Sequence, residues 1–273
     1  MPERDSAPHE SAQHESAQHD LALLTDAAKA AGDIALRYLR NAPKVWEKQG
    51  EGPVTEADIA VNDMVMARLR AARPTYGWLS EETPDTEERL DCEHLFLIDP
   101  IDGTSAFIAG DSSFSHSFAV ARNGIVTAAV VYLPAKDRLY AACLNGTATC
   151  NGAPIRCSTR VQVKGASLLT PKAHLDPDLW TGSVPEVTRH FRASVAYRLC
   201  LVAEGEFDGM LSLRQAWEWD IAAGALIAGI AGASVTNRLG EPLRFNAETP
   251  RSNGILVAAP AFHAELLGRL KPI

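Results

Sequence analysis

The densest polar cluster of the sequence spans residues 99–105 and reads DPIDGTS. It follows the apolar run LFLI at 95–98, which fits a buried strand. Asp99 and Asp102 stand three residues apart and can point into one pocket, where the carbonyl of Ile101 adds a third oxygen. Hard oxygen ligands of this kind suit Mg²⁺. Because Asp-Gly is also a common turn dipeptide, the motif alone is equally compatible with a surface turn.

The residues after Asp102 favour an anion site next to the cation site. Gly103 allows a close backbone approach. The amides of Gly103, Thr104 and Ser105 would be free to face a phosphate if a helix begins there. We therefore expect these three residues to bind phosphate in contact with the cation.

Three further carboxylates stand where elements begin or end. Glu81 lies in the run SEE at 80–82, at the end of a predicted strand. Asp220 opens a predicted helix rich in small residues, and Asp58 follows Thr55 with the spacing of a capping box. Each position also has a plainer interpretation, an exposed acidic loop for Glu81 and a helix cap for the two aspartates.

The first half of the chain predicts two helices and an antiparallel meander. Apolar periodicity indicates a helix over 21–39, and a second helix should begin after Thr55 and end before Pro74. Strand patterns separated by turn signals then follow over 95–98, 114–122, 125–133 and 138–144.

Beyond Pro154 the pattern changes to alternating strands and helices. Strands are predicted at 166–170, 207–213, 233–237 and 254–259, and helices at 194–204, 220–231 and 261–270. We therefore divide the chain into an N-terminal α+β half with an antiparallel sheet, 21–153, and a C-terminal α/β half with a more parallel sheet, 154–273. A cleft between the halves is the expected place for a site.

Residues 1–20 are predicted to form a disordered acidic tail. They include the tandem pentapeptide HESAQHESAQ, whose small and polar residues offer little apolar surface to bury. Its histidines at five-residue spacing offer at most a weak metal site, and we assign the segment no function.

Composition excludes several classes of protein. The 273 residues are 46% hydrophobic and 22% charged, which is typical of a globular chain. The net charge of −8 does not favour binding to a nucleic-acid polymer or to an anionic membrane surface. With neither a predicted membrane span nor a secretory signal, we expect a cytoplasmic protein, and its five scattered cysteines should be reduced thiols.

Four motifs together resemble those of the inositol monophosphatase superfamily, in the same order and spacing. The resemblance covers roughly residues 21–270. It implies a layered α-β-α-β-α fold of the α/β (α+β) class, shared with fructose-1,6-bisphosphatases, and Mg²⁺-dependent, commonly Li⁺-inhibited hydrolysis of small phosphate monoesters. The motifs are VTEAD at 54–58, SEE at 80–82, DPIDGT at 99–104 and WDIAAG at 219–224.

The resemblance also implies the role of each site residue. The ligands of two Mg²⁺ ions would be Glu81, Asp99, Asp102, Asp220 and the carbonyl of Ile101. Asp58 would contribute to a third, looser ion and to catalysis. Glu81 and the Thr104 hydroxyl would orient a water for in-line attack on phosphorus. Members of the family are often homodimers, although no segment here marks an interface.

The substrate is less closely determined by the sequence than the metal site. Leu213 stands where inositol monophosphatases usually carry a carboxylate, and Arg214 follows it. The run SVAYRLCLVAEGEFD at 194–208 also resembles the bacterial 3'(2'),5'-bisphosphate nucleotidase branch. We therefore favour 3'-phosphoadenosine 5'-phosphate as substrate, with inositol 1-phosphate, or the use of both, as the alternative. A histidinol phosphatase or a non-catalytic sensor is less favoured.

Four basic residues are candidates for contacts with a second phosphate. They are Lys172, His174, Arg198 and Arg214. The run TPKAH at 170–174 departs from the Ser-Arg-Ser-His run of many such nucleotidases. That departure puts the nucleotide contact in doubt, and a surface or structural role for these charges is equally compatible with the sequence.

Other phosphatase chemistries fit less well. Cys150 and Arg156 have the C-x₅-R spacing of cysteine-dependent phosphatases, but the intervening Pro154 indicates a turn rather than an amide-rich loop. Asp99 and Asp102 are three residues apart, whereas an aspartyl-phosphate enzyme would need aspartates two apart. The sequence has neither a GxxxxGK[ST] nor a GxGxxG motif.

Overall fold

The computed structural model describes residues 7–41, 43–48 and 52–272. Its helices include every one that apolar periodicity predicts, with ends within about two residues in the C-terminal half. They are α1 (Ala7–Arg40), α2 (Glu56–Ala72), α3 (Thr104–Ile108), α4 (Val195–Ala203), α5 (Glu218–Ile230) and α6 (Pro260–Arg269). Short 3₁₀ helices cover Glu87–Asp91, Pro134–Lys136, Lys172–Leu175 and Pro177–Leu179.

The strands include every segment predicted from the sequence. In the N-terminal half they are β1 (Val45–Lys48), β2 (Gly52–Thr55), β3 (Gly77–Ser80), β4 (His94–Asp102), β5 (Ser115–Arg122), β6 (Ile125–Leu133), β7 (Arg138–Cys143), β8 (Thr149–Cys150) and β9 (Ala153–Pro154). In the C-terminal half they are β10 (Ala166–Leu169), β11 (Val187–His190), β12 (Gly209–Ser212), β13 (Ala216–Trp217), β14 (Ser234–Thr236), β15 (Arg251–Ser252) and β16 (Ile255–Ala258).

The larger sheet has seven strands in the order β3-β4-β5-β6-β7-β8-β9. Its pairs are antiparallel except for β3 and β4, which run parallel. The turn between β5 and β6 is formed by Asn123 and Gly124, whose φ angles of 48° and 78° are typical of the two-residue turns that match strand twist. Local turn chemistry therefore sets the meander that carries the motif at the end of β4.

The smaller sheet has five strands in the order β11-β10-β12-β16-β14. β10 pairs in parallel with β11 and β12, whereas β16 pairs antiparallel with β12 and β14. The remaining strands form two short ribbons, β1 with β2 and β13 with β15.

The elements stack as alternating helical and sheet layers. One apolar cluster joins α1 and α2 to the outer face of the larger sheet, and another joins α6 to the smaller sheet. The largest cluster lies between the two sheets and contains α4 and α5. This order, helix-sheet-helix-sheet-helix, is the layered α/β architecture expected from the sequence.

The prediction of a disordered tail over 1–20 is wrong from Ala7 onward, where α1 begins. The Ala, Glu and Gln of the pentapeptide are good helix formers. Tertiary contacts also hold this segment, because Ala17 is buried and the buried Asp20 carboxylate accepts hydrogen bonds from Arg73 Nε (2.9 Å) and the Tyr76 hydroxyl (3.1 Å). The remainder of the predicted tail, residues 1–6, lies outside the described residues.

The change from the larger to the smaller sheet falls between β9 and β10, at 155–165. The two sheets nevertheless share one core, since α4 and α5 of the C-terminal half pack in the same apolar cluster as residues of β4 to β7. Among the described helices, none is long and apolar enough to cross a membrane.

Candidate active site

Asp99 and Asp102 occupy the end of β4, next to β5. β4 continues four residues past the strand predicted over 95–98, and its pairing with β5 changes register between these two aspartates. Asp99 is 2% and Asp102 6% exposed. The other predicted carboxylates converge on Asp99, whose pKa is raised well above its usual range by burial and by the charges of Glu81, Asp102, Asp220 and Asp58, in decreasing order.

Asp102 also serves as a cap for α4. Its Oδ2 accepts hydrogen bonds from Ser194 Oγ and the Ala196 amide, both at 2.6 Å, and its Oδ1 accepts from the Val195 amide at 3.1 Å. Burial raises the pKa of Asp102, while these hydrogen bonds oppose the rise. Asp102 therefore ties the end of β4 to the first turn of α4, 92 residues away in the sequence.

Asp58 is both a capping-box residue and a neighbour of Thr104. Its Oδ2 accepts from the Thr55 amide (2.8 Å) and hydroxyl (2.5 Å) at the start of α2, as the sequence predicts. Its Oδ1 lies 3.3 Å from Thr104 Oγ1, which is also 3.0 Å from the Ile101 carbonyl. Burial raises the pKa of Asp58 to about 6. The Thr104 hydroxyl is thus held between two acceptors, with one hydrogen to donate.

Glu81 and Asp220 complete the cluster from β3 and α5. Burial, followed by the charge of Glu82, raises the pKa of Glu81 to about 7, and Asp99 is close enough to hydrogen-bond with it. Burial and the charges of Asp102 and Glu81 raise the pKa of Asp220 well above its usual range. Five acidic side chains thus share one poorly hydrated pocket, an arrangement that a divalent cation would stabilise.

The donor set fits Mg²⁺, because every candidate ligand is a carboxylate or carbonyl oxygen. Asp99 Oδ1 is buried and has no hydrogen-bond partner within the described residues. In that same part of the chain, no three His, Cys, Asp or Glu side chains are arranged to hold one ion as they stand. Asp58 and Asp102 accept hydrogen bonds at the starts of α2 and α4, and each carboxylate keeps a lone pair for a cation.

The predicted phosphate site lies at the start of α3. Gly103 is the N-cap residue with φ of 90°, and a Cβ there would lie 3.2 Å from the Ser194 amide nitrogen. Glycine is therefore required by both backbone conformation and space. The Ala106 and Phe107 amides donate to the Gly103 carbonyl, which leaves the earlier amides, including those of Thr104 and the exposed Ser105, without acceptors in the helix.

Arg198 brings a buried positive charge to the Asp220 side of the cluster. It is 5% exposed, and its Nη1 has no hydrogen-bond partner in the described structure. Its Nε donates to the Ser194 carbonyl at 3.3 Å. Although burial lowers the pKa of Arg198, the nearby Asp102 and Asp220 oppose this, so the guanidinium stays charged.

The other residues predicted to contact the substrate are less closely associated with the carboxylate cluster. His174 is buried, with Nδ1 3.3 Å from the Leu213 amide, and burial lowers its pKa so that it is neutral at pH 7. Arg214 is exposed and near enough for its charge to act on His174. Lys172 lines a separate opening with Asp176 and Arg189, so the structure does not bring it to the carboxylates.

Sequence reasoning missed Lys48, which reaches the site from β1. Its Nζ lies 2.6 Å from Glu82 Oε2 and 3.2 Å from the Glu81 carbonyl. A cavity of about 680 Å³ opens here. It is lined by Lys48, Glu81, the stacked rings of Trp217 and Trp219, and Arg251, whose guanidinium lies 3.7 Å from the Trp217 ring centre. A lone lysine outside any recognisable motif gives no sequence signal for this position.

Sequence comparison agrees with this geometry. The model of the inositol monophosphatase family matches residues 16–272. The chain belongs to the inositol monophosphatase family. This family member is accordingly a metal-dependent phosphatase that acts on phosphoric monoesters.

Curated relatives carry two different activities in their names. The chain is 34% identical to an inositol-1-monophosphatase of Mesorhizobium japonicum over 67% of its own length and 71% of the relative's. It is 32% identical to the 3'(2'),5'-bisphosphate nucleotidase CysQ of Escherichia coli O157:H7 over 83% of its own length and 92% of the relative's. The two identities are too similar to decide the substrate.

Solved structures share the fold. The extragenic suppressor protein SuhB of Bartonella henselae matches with a TM-score of 0.79 at 26% identity, over 92% of this chain and 97% of that one. The inositol monophosphatase of Anabaena matches with a TM-score of 0.76 at 28% identity, over 92% and 94%. The layered α-β-α-β-α fold implied by the motifs is therefore confirmed.

Proposed function

We propose that this phosphatase hydrolyses 3'-phosphoadenosine 5'-phosphate to AMP and inorganic phosphate. The observation that carries the proposal is the buried guanidinium of Arg198, beside Asp102 and Asp220 and with Nη1 unpaired within the described residues. A second phosphate on the substrate would supply the acceptor that this group lacks.

The placement of charge in the pocket supports this assignment. Thr104 Oγ1 contacts Asp58, and the charge of Asp58 acts on Glu81, whereas the charges that act on Arg198 are those of Asp102 and Asp220. In an in-line displacement the leaving oxygen departs opposite the attacking water. A water held by Glu81 and Thr104 would thus direct the leaving nucleotide, with its 5'-phosphate, toward Arg198.

The chain's own residues would perform the following steps. Thr104 Oγ1 donates its hydrogen to Asp58 or to the Ile101 carbonyl, so its lone pairs accept from the attacking water. Glu81 accepts the water's other hydrogen. The amides of Gly103 and Thr104 bind the transferred phosphoryl oxygens at the start of α3. Bound Mg²⁺, held by Glu81, Asp99, Asp102, Asp220 and the Ile101 carbonyl, would supply electrophilic activation of the phosphate and stabilise the leaving alkoxide.

Inositol 1-phosphate is the second candidate, because one group of relatives carries that activity in its name. The position that would have to accept hydrogen bonds from ring hydroxyls is Leu213, whose side chain is 6% exposed and packs in the apolar cluster next to α6. An apolar side chain cannot make that contact. This favours the bisphosphate nucleotide over the inositol ester.

The deciding experiment compares kcat/KM for 3'-phosphoadenosine 5'-phosphate and inositol 1-phosphate, side by side with Mg²⁺. A tenfold preference corresponds to about 1.4 kcal/mol of differential transition-state binding. Higher efficiency on the nucleotide supports the proposal, and higher efficiency on the inositol ester overturns it. Failure on both would also overturn it and would direct attention to sugar and histidinol phosphates.

Finer properties of the enzyme are proposed from the family resemblance alone. We propose two or three Mg²⁺ ions in turnover, inhibition by Li⁺, a homodimeric state and a cytoplasmic location. Li⁺ titration of the activity and sedimentation equilibrium test the second and third of these directly.

A further inference from the structure

Strands β4 and β5 pair irregularly at the centre of the site. Asp99 stands opposite Ser117 and Asp102 opposite Ser115, so that Pro100 and Ile101 together face the single residue His116. Two residues opposite one define a β-bulge, which re-aims the side chains on either side of it. Here the residues on either side are the two aspartates of the pocket.

The side chain of His116 contacts this bulge directly. Its Nδ1 hydrogen-bonds to the Pro100 carbonyl, and the residue has no exposed surface. Because a carbonyl oxygen can only accept, Nδ1 carries the hydrogen and Nε2 is left with a lone pair. Nε2 is buried and has no partner in the described structure.

The surroundings of the ring are otherwise apolar. It stacks on Phe118 at 5.9 Å between ring centres, and Phe114 and Tyr132 each lie at 6.4 Å. Burying an imidazole nitrogen without a hydrogen-bond partner costs free energy, and an aliphatic side chain at this position would avoid that cost. The polar contact to Pro100 is therefore the feature that distinguishes histidine from a residue that only packs.

Ser115 and Ser117 make contacts elsewhere in the site. Ser115 Oγ is 3.0 Å from Ser194 Oγ at the start of α4, and Ser117 Oγ donates to the Trp219 carbonyl at the start of α5. Those contacts position helices, whereas His116 holds the Pro100 carbonyl, next to the Ile101 carbonyl that Thr104 Oγ1 contacts. The bulge also contains the Ile101 carbonyl, which must keep its direction to act as a ligand.

We propose that His116 is a positioning residue whose Nδ1–H group holds the Pro100 carbonyl and so keeps Asp99, Asp102 and the Ile101 carbonyl directed into the pocket. The proposal concerns the metal-dependent reaction of the family and does not depend on which ester is the substrate. A substrate assignment that failed would leave it unchanged.

Two substitutions of nearly equal size separate the hydrogen bond from packing. His116→Asn can place an amide N–H near the Nδ1 position, whereas His116→Leu has the same shape and no donor. We expect His116→Leu to bind Mg²⁺ about tenfold more weakly than the wild type by calorimetry, the scale of one hydrogen bond. Its kcat at fixed Mg²⁺ should fall while KM for the ester changes little, and His116→Asn should recover most of both losses.

Phe118→Leu is the control, because Phe118 packs on the same ring without a polar contact to the bulge. It should lower stability to urea without changing the affinity for Mg²⁺. The proposal is overturned if His116→Leu binds Mg²⁺ like the wild type. It is also overturned if the Leu and Asn variants lose affinity equally, since packing would then explain the effect.

The wild-type protein provides a test that needs no variant. With ¹⁵N-labelled histidine, His116 should give a slowly exchanging Nδ1–H signal and an unprotonated Nε2 at neutral pH. The opposite tautomer would exclude a hydrogen bond to the Pro100 carbonyl and would overturn the proposal even if neither variant folded.

Discussion

The Asp102 carboxylate lies 2.6 Å from the Ser194 hydroxyl and caps helix α4 with a group that we also propose as a metal ligand. Asp99, three residues earlier, makes no comparable helix contact, and its Oδ1 has no partner among the described residues. Asp102 therefore has a structural role in addition to its expected role as a ligand. Asp99 is expected to act only in the reaction.

Replacing either aspartate by asparagine should reveal this difference. Asp99→Asn should lower kcat/KM by at least about a hundredfold, the scale of losing one preorganised charge-stabilising group. It should also raise the melting temperature in EDTA, because it removes one of several repelling carboxylates. Asp102→Asn should be equally inactive without that gain in stability, since a capping oxygen is lost. Near wild-type turnover of Asp99→Asn would exclude this site.

The metal-free protein should lose stability as pH rises. The pKa is about 6 for Asp58 and about 7 for Glu81, both raised by burial. Such carboxyls bind protons more tightly in the folded chain, so their contribution is present below the unfolded pKa and is lost as pH rises through the folded value. In EDTA the free energy of unfolding should fall between about pH 5 and pH 8, by roughly 1.4 kcal/mol for each tenfold difference in proton affinity between the folded and unfolded chain.

A pair of glutamate variants isolates this effect from other titrations. Burial lowers the pKa of His116 to about 4, so this histidine acts in the opposite direction below about pH 6.5. Glu81→Gln should flatten the urea-unfolding profile above pH 6.5, whereas Glu88→Gln, on the exposed 3₁₀ helix, should not. Parallel profiles for Glu81→Gln and the wild type would contradict the prediction.

Mg²⁺ should stabilise the folded chain by mass action. At a free concentration a hundred times the dissociation constant, one site adds about 2.7 kcal/mol to the free energy of unfolding. Differential scanning fluorimetry with Mg²⁺ and then with excess EDTA measures this directly. Asp99→Asn should show little or none of the increase. A melting temperature that ignores both Mg²⁺ and chelator would count against the metal site.

The N-terminal part of α1 should contribute measurably to stability. The buried Asp20 carboxylate accepts hydrogen bonds from Arg73 and Tyr76, just after the C-terminal end of α2. Asp20→Ala leaves these donors unpaired and should cost about 1–3 kcal/mol in urea unfolding. Asp26→Ala, at an exposed position on the same helix, should cost almost nothing. Equal effects of the two substitutions would refute the role of Asp20.

Arg198 should matter only for substrates with a second phosphate. Arg198→Met should reduce kcat/KM for 3'-phosphoadenosine 5'-phosphate about tenfold to a hundredfold more than that for adenosine 3'-monophosphate. Because both substrates use the same metal site, a general change in metal binding would leave the ratio of their kcat/KM values unchanged. Arg244→Met, at an exposed position, provides the control. An unchanged ratio in Arg198→Met would show that the guanidinium does not contact the 5'-phosphate.

Much of this fold could be predicted from local signals. The capping box of Thr55 and Asp58, the turn at Asn123 and Gly124, and the periodicity of α4 to α6 each act within a few residues. The meander and the C-terminal helices followed from them, whereas the meeting of the four motifs in one pocket was implied by the family resemblance. The motif positions also identified every carboxylate that surrounds Asp99.

The features that could not be predicted depend on contacts distant in sequence. The helical form of residues 7–20 relies partly on Arg73 and Tyr76, more than 50 residues away. The extension of β4 to Asp102 depends on pairing with β5 across a bulge. The burial of Arg198 beside Asp102 and Asp220 arises only when α4 and α5 pack together, so its charge looked no different from that of Lys172.

The position of helices α4 and α5 determines what proteolytic cleavage between the two halves of the chain would do. Both helices lie after residue 165, yet they cover the inner face of the larger sheet, which ends at β9. A proteolytic nick at 155–165 would therefore produce two fragments that each expose part of one continuous apolar surface. Neither should be active alone, because Asp99 and Asp220 would be separated, whereas mixing the two should restore activity by fragment complementation.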